Sequence, residues 1–238
     1  MEYIDKAVEV LRTIDATQIR AGAQLLADTI IAGRSIFSFG ASHAFMVTEE
    51  LVYRAGGLML INPIYPHGMN LSVRPLTMTS QLERLPGLGQ ELLDGSPARE
   101  GDLLIITSNS GRNAVAIDMA LRAREKKIKT IAISALSYAK VASRHPSGKK
   151  LPELCDLVID NGVPYGDAAV EIAGFSQKVG PLSTVATCAI ANALVAETVK
   201  QLVERGLEPP VFMSANVDGG DQYNARLLEQ NKHRIHYL

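Results

Sequence analysis

Five short apolar runs, at residues 35–39, 58–61, 103–107, 130–134 and 157–160, constrain the fold of this chain more than any other feature. In Leu103-Leu104-Ile105-Ile106 no position is polar, so neither face of a strand built from it can lie against water. Such runs suit strands covered on both faces, as in a parallel sheet, and the helix-length segments between most of them supply the crossovers that a parallel sheet needs. The pattern predicts an α/β fold of three layers, with a five-stranded parallel sheet between helices. At 238 residues the chain is long enough for one such domain with helical additions.

Those additions lie at both ends. Ile4, Ala7, Val8, Leu11 and Ile14 recur at helical spacing, and Ile19, Ala23, Leu26 and Ile30 do so again after Asp15, with Gly33 placed to end the second helix. Residues 182–205 read as a long helix between Pro181 and Gly206. Its first turns are apolar on nearly every side, interrupted by Ser183, Thr184, Thr187 and Asn192. A helix of that kind is buried in the core or against a second copy of the chain, and a homodimer is expected. It is too short and too interrupted to span a membrane. Residues 62–101 form a long connection with five prolines and one short helix near 88–93, a length that suits a lid, a partner contact or a ligand contact. After Pro209 and Pro210 come a loop and a last helix from about Gly220. The organisation expected is N-terminal helices over 1–34, the sheet domain over 35–208 and a tail over 209–238.

Composition narrows the function. With 24 Lys and Arg against 25 Asp and Glu, five Phe, seven Tyr and no Trp, the chain has neither the positive field nor the stacking platforms of a nucleic-acid binder. The start MEYIDKAVEV lacks the basic and apolar regions of a secretory signal, so a cytoplasmic protein is expected. Cys155 and Cys188 lack the paired spacing of a zinc site and read as buried, reduced thiols. No cluster has metal-ligand spacing, and neither a metal nor a cofactor is expected.

Two polar loops, each between an apolar run and a helix, carry the candidate site: FSFGASHAF at 37–45 and ITSNSGRN at 106–113. Ligands of open parallel sheets bind beyond the carboxyl ends of the strands where strand order reverses. In the order 2-1-3-4-5 that point lies between the first and third strands, which carry these two loops. Free amides at the start of the following helices, with the hydroxyls of Ser42, Ser108 and Ser110 and the amide of Asn109, suit an anion, while Gly40 and Gly111 permit tight turns. Helix capping would account for the same residue types. Neither loop matches a nucleotide fingerprint, so the terminal phosphate of a small molecule fits better than a nucleoside triphosphate.

The stretches SFGASHAFMVTEEL and LLIITSNSGRNAVAIDMALRAREKKIKTIAIS resemble the sugar isomerase (SIS) domain family over residues 35–160. The resemblance implies a flavodoxin-like sheet, a dimer and a phosphosugar ligand, in a family that includes phosphoheptose isomerases, N-acetylmuramic acid 6-phosphate etherases and noncatalytic sugar sensors. It implies that Ser42, Ser108, Ser110 and Gly111 hold the phosphate, with Asn113 standing where Ser or Thr is common. Arg112 and Lys178 look like residues of the etherases. TEEL at 48–51 looks like a helix of the phosphoheptose isomerases, which makes Glu50, beside Glu49, the candidate base, two residues nearer to Ser42 than in that group.

Moving a carbonyl between neighbouring sugar carbons needs one group to transfer a carbon-bound proton and another to transfer a hydroxyl proton. A carboxylate from Glu49 or Glu50 and an imidazole from His43, His67 or His145 would suffice. Asp167, at the same end of the sheet, could bond a sugar hydroxyl or cap a helix. An aldose–ketose isomerase acting on a phosphorylated amino sugar or related aldose is expected, with ether cleavage or noncatalytic sensing as alternatives.

Overall fold

The structure is a computed structural model describing residues 1–238. In chain order its elements are α1 (Glu2–Thr13), α2 (Ala16–Ile31), β1 (Ile36–Gly40), α3 (Phe45–Leu51), β2 (Ile61–Pro63), α4 (Thr77–Leu82), α5 (Leu88–Asp94), β3 (Leu103–Thr107), α6 (Ala114–Glu125), β4 (Lys129–Ser134), β5 (Leu157–Asp160), β6 (Ala168–Val170), β7 (Val179–Pro181), α7 (Ser183–Glu204) and α8 (Gly220–Asn231). The first five strands form one sheet in the order β2-β1-β3-β4-β5. All four of its pairings are parallel.

Successive side chains of a strand point to opposite faces, and here both faces are apolar. Ile36, Leu103, Ile105, Ile131 and Ile133 share one buried cluster with Leu26 of α2, Val47 of α3 and Leu194 of α7. Phe37, Phe39, Leu104 and Ile106 join Leu93 of α5 and Met119 of α6 in a second cluster on the other face. Burying one such side chain is worth about 1.5–3 kcal/mol. The central strands, buried at every position, therefore secure the sheet from both sides and fix where its rim lies. Asp15 caps α2 by accepting the Thr17 amide (2.7 Å).

Four local features differ from the sequence reading or go beyond it. The second strand is Ile61–Pro63 and not 58–61. The tail has taken the backbone partners of the earlier residues: Leu58 bridges Val211 in antiparallel sense, and the Met59 amide donates to Pro210 O (2.9 Å). The stripe of α1 is not buried as a unit, since Ala7 is buried while Ile4 and Val8 remain exposed. β6 and β7 form a separate antiparallel ribbon between β5 and α7, too short and too mixed in sequence to announce itself. Cys155 and Cys188 are free but only partly buried, and loss of hydration pushes the Cys155 thiol up to about 12.

The N-terminal helices and the tail share the core of the sheet domain: Ile19 and Leu26 lie in the same cluster as Phe212, Leu227 and Ile235. α7 buries Ile190, Leu194, Thr198 and Leu202. Val185 and Val203 on the same helix stay exposed.

Candidate functional site

β1 and β3 are neighbours, and Gly40 faces Thr107 in their register, so the chain leaves the sheet twice at the same level. After Gly40 comes a single turn of 3-10 helix, Ser42–Ala44, leading into α3. After Thr107 a loop of six residues leads to α6. Both loops line one crevice of about 430 Å³ at the carboxyl rim, a size that suits a small ligand.

Local chemistry explains why the chain turns there. A Cβ on Gly40 would lie 2.3 Å from the carbonyl oxygen of Ala44, so only glycine lets the turn fold back this closely. Ser42 is held at a φ of +52° while its amide donates to Met69 O (2.7 Å). In the second loop the Ser108 amide continues the sheet ladder to Ile133 O (3.1 Å), and Gly111, at a φ of +61°, donates back to Ser108 O (3.2 Å). Asn109 is pinned from the ends of β4 and β5: its carbonyl accepts the Ala135 amide (2.8 Å), and its Oδ1 accepts from the buried Asn161 (2.9 Å). The hydroxyls of Ser108 and Ser110 remain free to serve a ligand in the crevice.

A carboxylate closes the gap between the turns. Glu83, just beyond α4, accepts from Ser42 Oγ through one oxygen and from Asn113 Nδ2 through the other. Arg144 donates to Asn113 Oδ1 (2.9 Å). Burial, then the charges of Arg112 and Arg84, hold the Arg144 guanidinium below its ordinary range, and Glu83 opposes them. The far wall comes from α7, whose first turns present Ser183, Thr184 and Thr187. Asp167 accepts the Leu182 and Ser183 amides (3.0 and 2.8 Å) and the Ser183 hydroxyl (2.7 Å), so the positive end of α7 is already capped.

Thr107, the last residue of β3, lines the same crevice. It is 2% exposed, and its hydroxyl has no hydrogen-bond partner. A buried hydroxyl left unpaired costs about 1–3 kcal/mol. Thr107→Val keeps the shape and removes the unpaired oxygen, so the ligand-free variant is expected to be more stable by about 1 kcal/mol. Thermal unfolding should show a midpoint roughly 2–4 °C higher; a lower midpoint would mean that the hydroxyl is satisfied.

A model of the SIS domain matches residues 2–135, more than half of the chain. The chain belongs to the SIS domain family. A UPF0309 protein of Shouchella clausii is 47% identical over 241 residues, covering 100% of this chain and 98% of that protein. Among solved structures, a phosphoheptose isomerase from Francisella tularensis superposes with a TM-score of 0.55 at 11% identity, over 83% of this chain and 95% of that one. The phosphoheptose isomerase of Neisseria gonorrhoeae gives 0.54 at 16%, over 84% and 94%. At these identities the likeness to the two isomerases is one of fold.

Within this SIS domain the residues expected from sequence divide into three groups. Ser42, His43, Ser108, Asn109, Ser110, Asn113 and Asp167 line the crevice. Gly40 and Gly111 shape its turns without lining it. The others lie outside it, most of them engaged with partners of their own. Glu50 pairs with Arg54 and accepts from Asn192 of α7 (2.7 Å), and Glu49 is exposed. The expected carboxylate thus lies at the α3–α7 seam, because Thr48 turns its hydroxyl toward Ser38 (2.9 Å) and Glu50 follows roughly 200° further round the helix. His145 is locked between Asp118 (2.9 Å) and Ser147 (2.7 Å) on α6's flank, a structural pin away from the ligand space. His67 is exposed beside Tyr65. Arg112 donates to Ala142 O (2.6 Å), tying two loops together, and Lys178 pairs with Glu171 (2.8 Å) on the ribbon.

Glu83, Thr107 and the hydroxyls of α7 were not expected in the crevice. The signals for them were the length of the 62–101 connection and the Ser183, Thr184 and Thr187 interruptions in an otherwise apolar helix.

Proposed function

We propose that this SIS protein binds a phosphorylated sugar, an amino sugar or related aldose, and interconverts its aldose and ketose forms. One observation carries the reading: two serine-bearing turns leave adjacent strands at the same level and face one crevice, with the Ser108 and Ser110 hydroxyls open to it. The phosphate sits at the turns, near the start of α6, and the sugar extends toward Ser183, Thr184 and Thr187. The Ser183 and Thr187 hydroxyls already donate within the protein, to Asp167 and to Ser183 O, and with Thr184 they offer acceptors that suit a polyhydroxylated ligand better than a flat aromatic one. The same reading includes a cytoplasmic homodimer, supported by the exposed Val185 and Val203 of α7. No helix is long and apolar enough to cross a membrane.

For the chemistry, His43 is the candidate that lines the crevice, next in sequence to the phosphate-binding Ser42. A positioned general acid or base contributes about 100- to 10,000-fold. His43→Ala is therefore expected to lower turnover of a sugar 6-phosphate by about 100-fold or more while leaving phosphate binding in place, read by aldose–ketose conversion and by titration. A noncatalytic sensor is the second reading, favoured by the ion pair and hydrogen bond that hold Glu50 and by the Asp118 contact that holds His145. Saturable binding of sugar 6-phosphates without turnover of any of them would select it.

A further inference from the structure

The anion position between the serine turns already has a protein occupant. Glu83 reaches it from the connection between β2 and β3, held there at three points: Ser42 Oγ and Asn113 Nδ2 bond its two carboxylate oxygens, and its backbone carbonyl accepts the Val115 amide in the first turn of α6 (3.1 Å). These donors are a hydroxyl of the first turn and an amide at the entrance to α6, the groups that would otherwise meet a phosphoryl oxygen. A carboxylate is the side-chain group closest to a phosphate in charge and in acceptor geometry. Arg144 fixes the Asn113 amide by donating to its Oδ1, so that the NH2 group faces Glu83. Asn113 begins α6 yet makes no capping bond of its own, its side chain being engaged with Glu83 and Arg144 instead.

We infer that Glu83 is an internal occupant of the anion site, a carboxylate latch that a phosphorylated ligand must displace and that sets the affinity of the site by charge. On the reading that the two turns hold a phosphate, the two anions compete for the same donors and exclude each other. A neutral sugar has no such competitor to remove and no charge to gain. Glu83 directly follows α4, and the exposed Arg84 and Leu85 come next, so its release needs movement of a short surface segment and none of the sheet. Arg144, whose charge already feels Glu83, stands beside the vacated position.

Glu83→Gln tests the latch. Its amide would remove the charge and leave one acceptor oxygen where the carboxylate offers two, so the hold on Ser42 Oγ and Asn113 Nδ2 loses its charge assistance. Calorimetric titration with inorganic phosphate at constant ionic strength is expected to give at least tenfold tighter binding to Glu83→Gln than to the wild type, with the gain lost in Glu83→Gln/Ser110→Ala. Equal or weaker binding to a folded Glu83→Gln, with Ser110→Ala still abolishing it, overturns the latch and leaves the phosphate reading standing. Phosphate binding to neither protein removes both. Thermal unfolding reports whether the variant is folded. Should it not be, Glu83→Asp retains the charge but is one methylene too short to reach both donors, and it is expected to bind phosphate at least threefold tighter than the wild type; no gain overturns the latch as well.

Discussion

Gly40→Ala is expected to destabilise the protein by about 2–3 kcal/mol and to abolish ligand binding in the fraction that folds. The added methyl would lie 2.3 Å from the carbonyl oxygen of Ala44, 2.5 Å from its carbon and 2.9 Å from the Phe45 nitrogen, all backbone atoms of the turn that carries Ser42. No side chain can rotate to relieve that contact. Either β1 shifts within the sheet, which its buried neighbours resist, or the 42–44 turn moves outward and takes Ser42 and His43 with it. Thermal unfolding should show a midpoint lower by roughly 5–10 °C. An unchanged midpoint together with intact binding would show that the turn is free to move and that its geometry does not define the site.

Ser110→Ala should have the second largest effect, and on binding alone. Its hydroxyl lines the crevice, so its removal leaves no buried group unpaired. A hydrogen bond to a charged phosphate contributes about 1.5–3 kcal/mol, and affinity for a sugar 6-phosphate is expected to fall roughly 10- to 100-fold with the unfolding midpoint unchanged. Unchanged affinity would remove Ser110 from the site. A fall in stability would assign the residue a structural role instead.

The fold was legible wherever burial left a periodic trace. Runs such as Leu103 to Ile106 are apolar because helices cover both faces of the sheet, and that condition leads from sequence to a parallel sheet and to the rim where its loops meet. The place of Ser42, Ser108 and Ser110 at that rim was legible for the same reason, since each lies within three residues of the end of such a run. Glu83 was not: its partners, Ser42 and Asn113, come from two other segments of the chain, and nothing local in SQLERLPG distinguishes it from a solvated glutamate. Glu50 shows the opposite failure. Its distance from Ser42 along the chain is short, but the phase of α3 turns it to Arg54 and Asn192. His145 likewise looked available until Asp118, a residue of the otherwise apolar face of α6, engaged it. Chain distance to a loop is thus a poor guide to which side chains enter the crevice, because helix phase and long-range partners decide it.

The account rests on a phosphate held by two turns at the ends of β1 and β3. Parallel titrations of the wild-type protein with a sugar 6-phosphate and with the same sugar lacking its phosphate test it most directly. Saturable binding of the phosphorylated sugar only, competed by inorganic phosphate, is the result expected; equal binding of both sugars, or binding that excess phosphate leaves untouched, would contradict it.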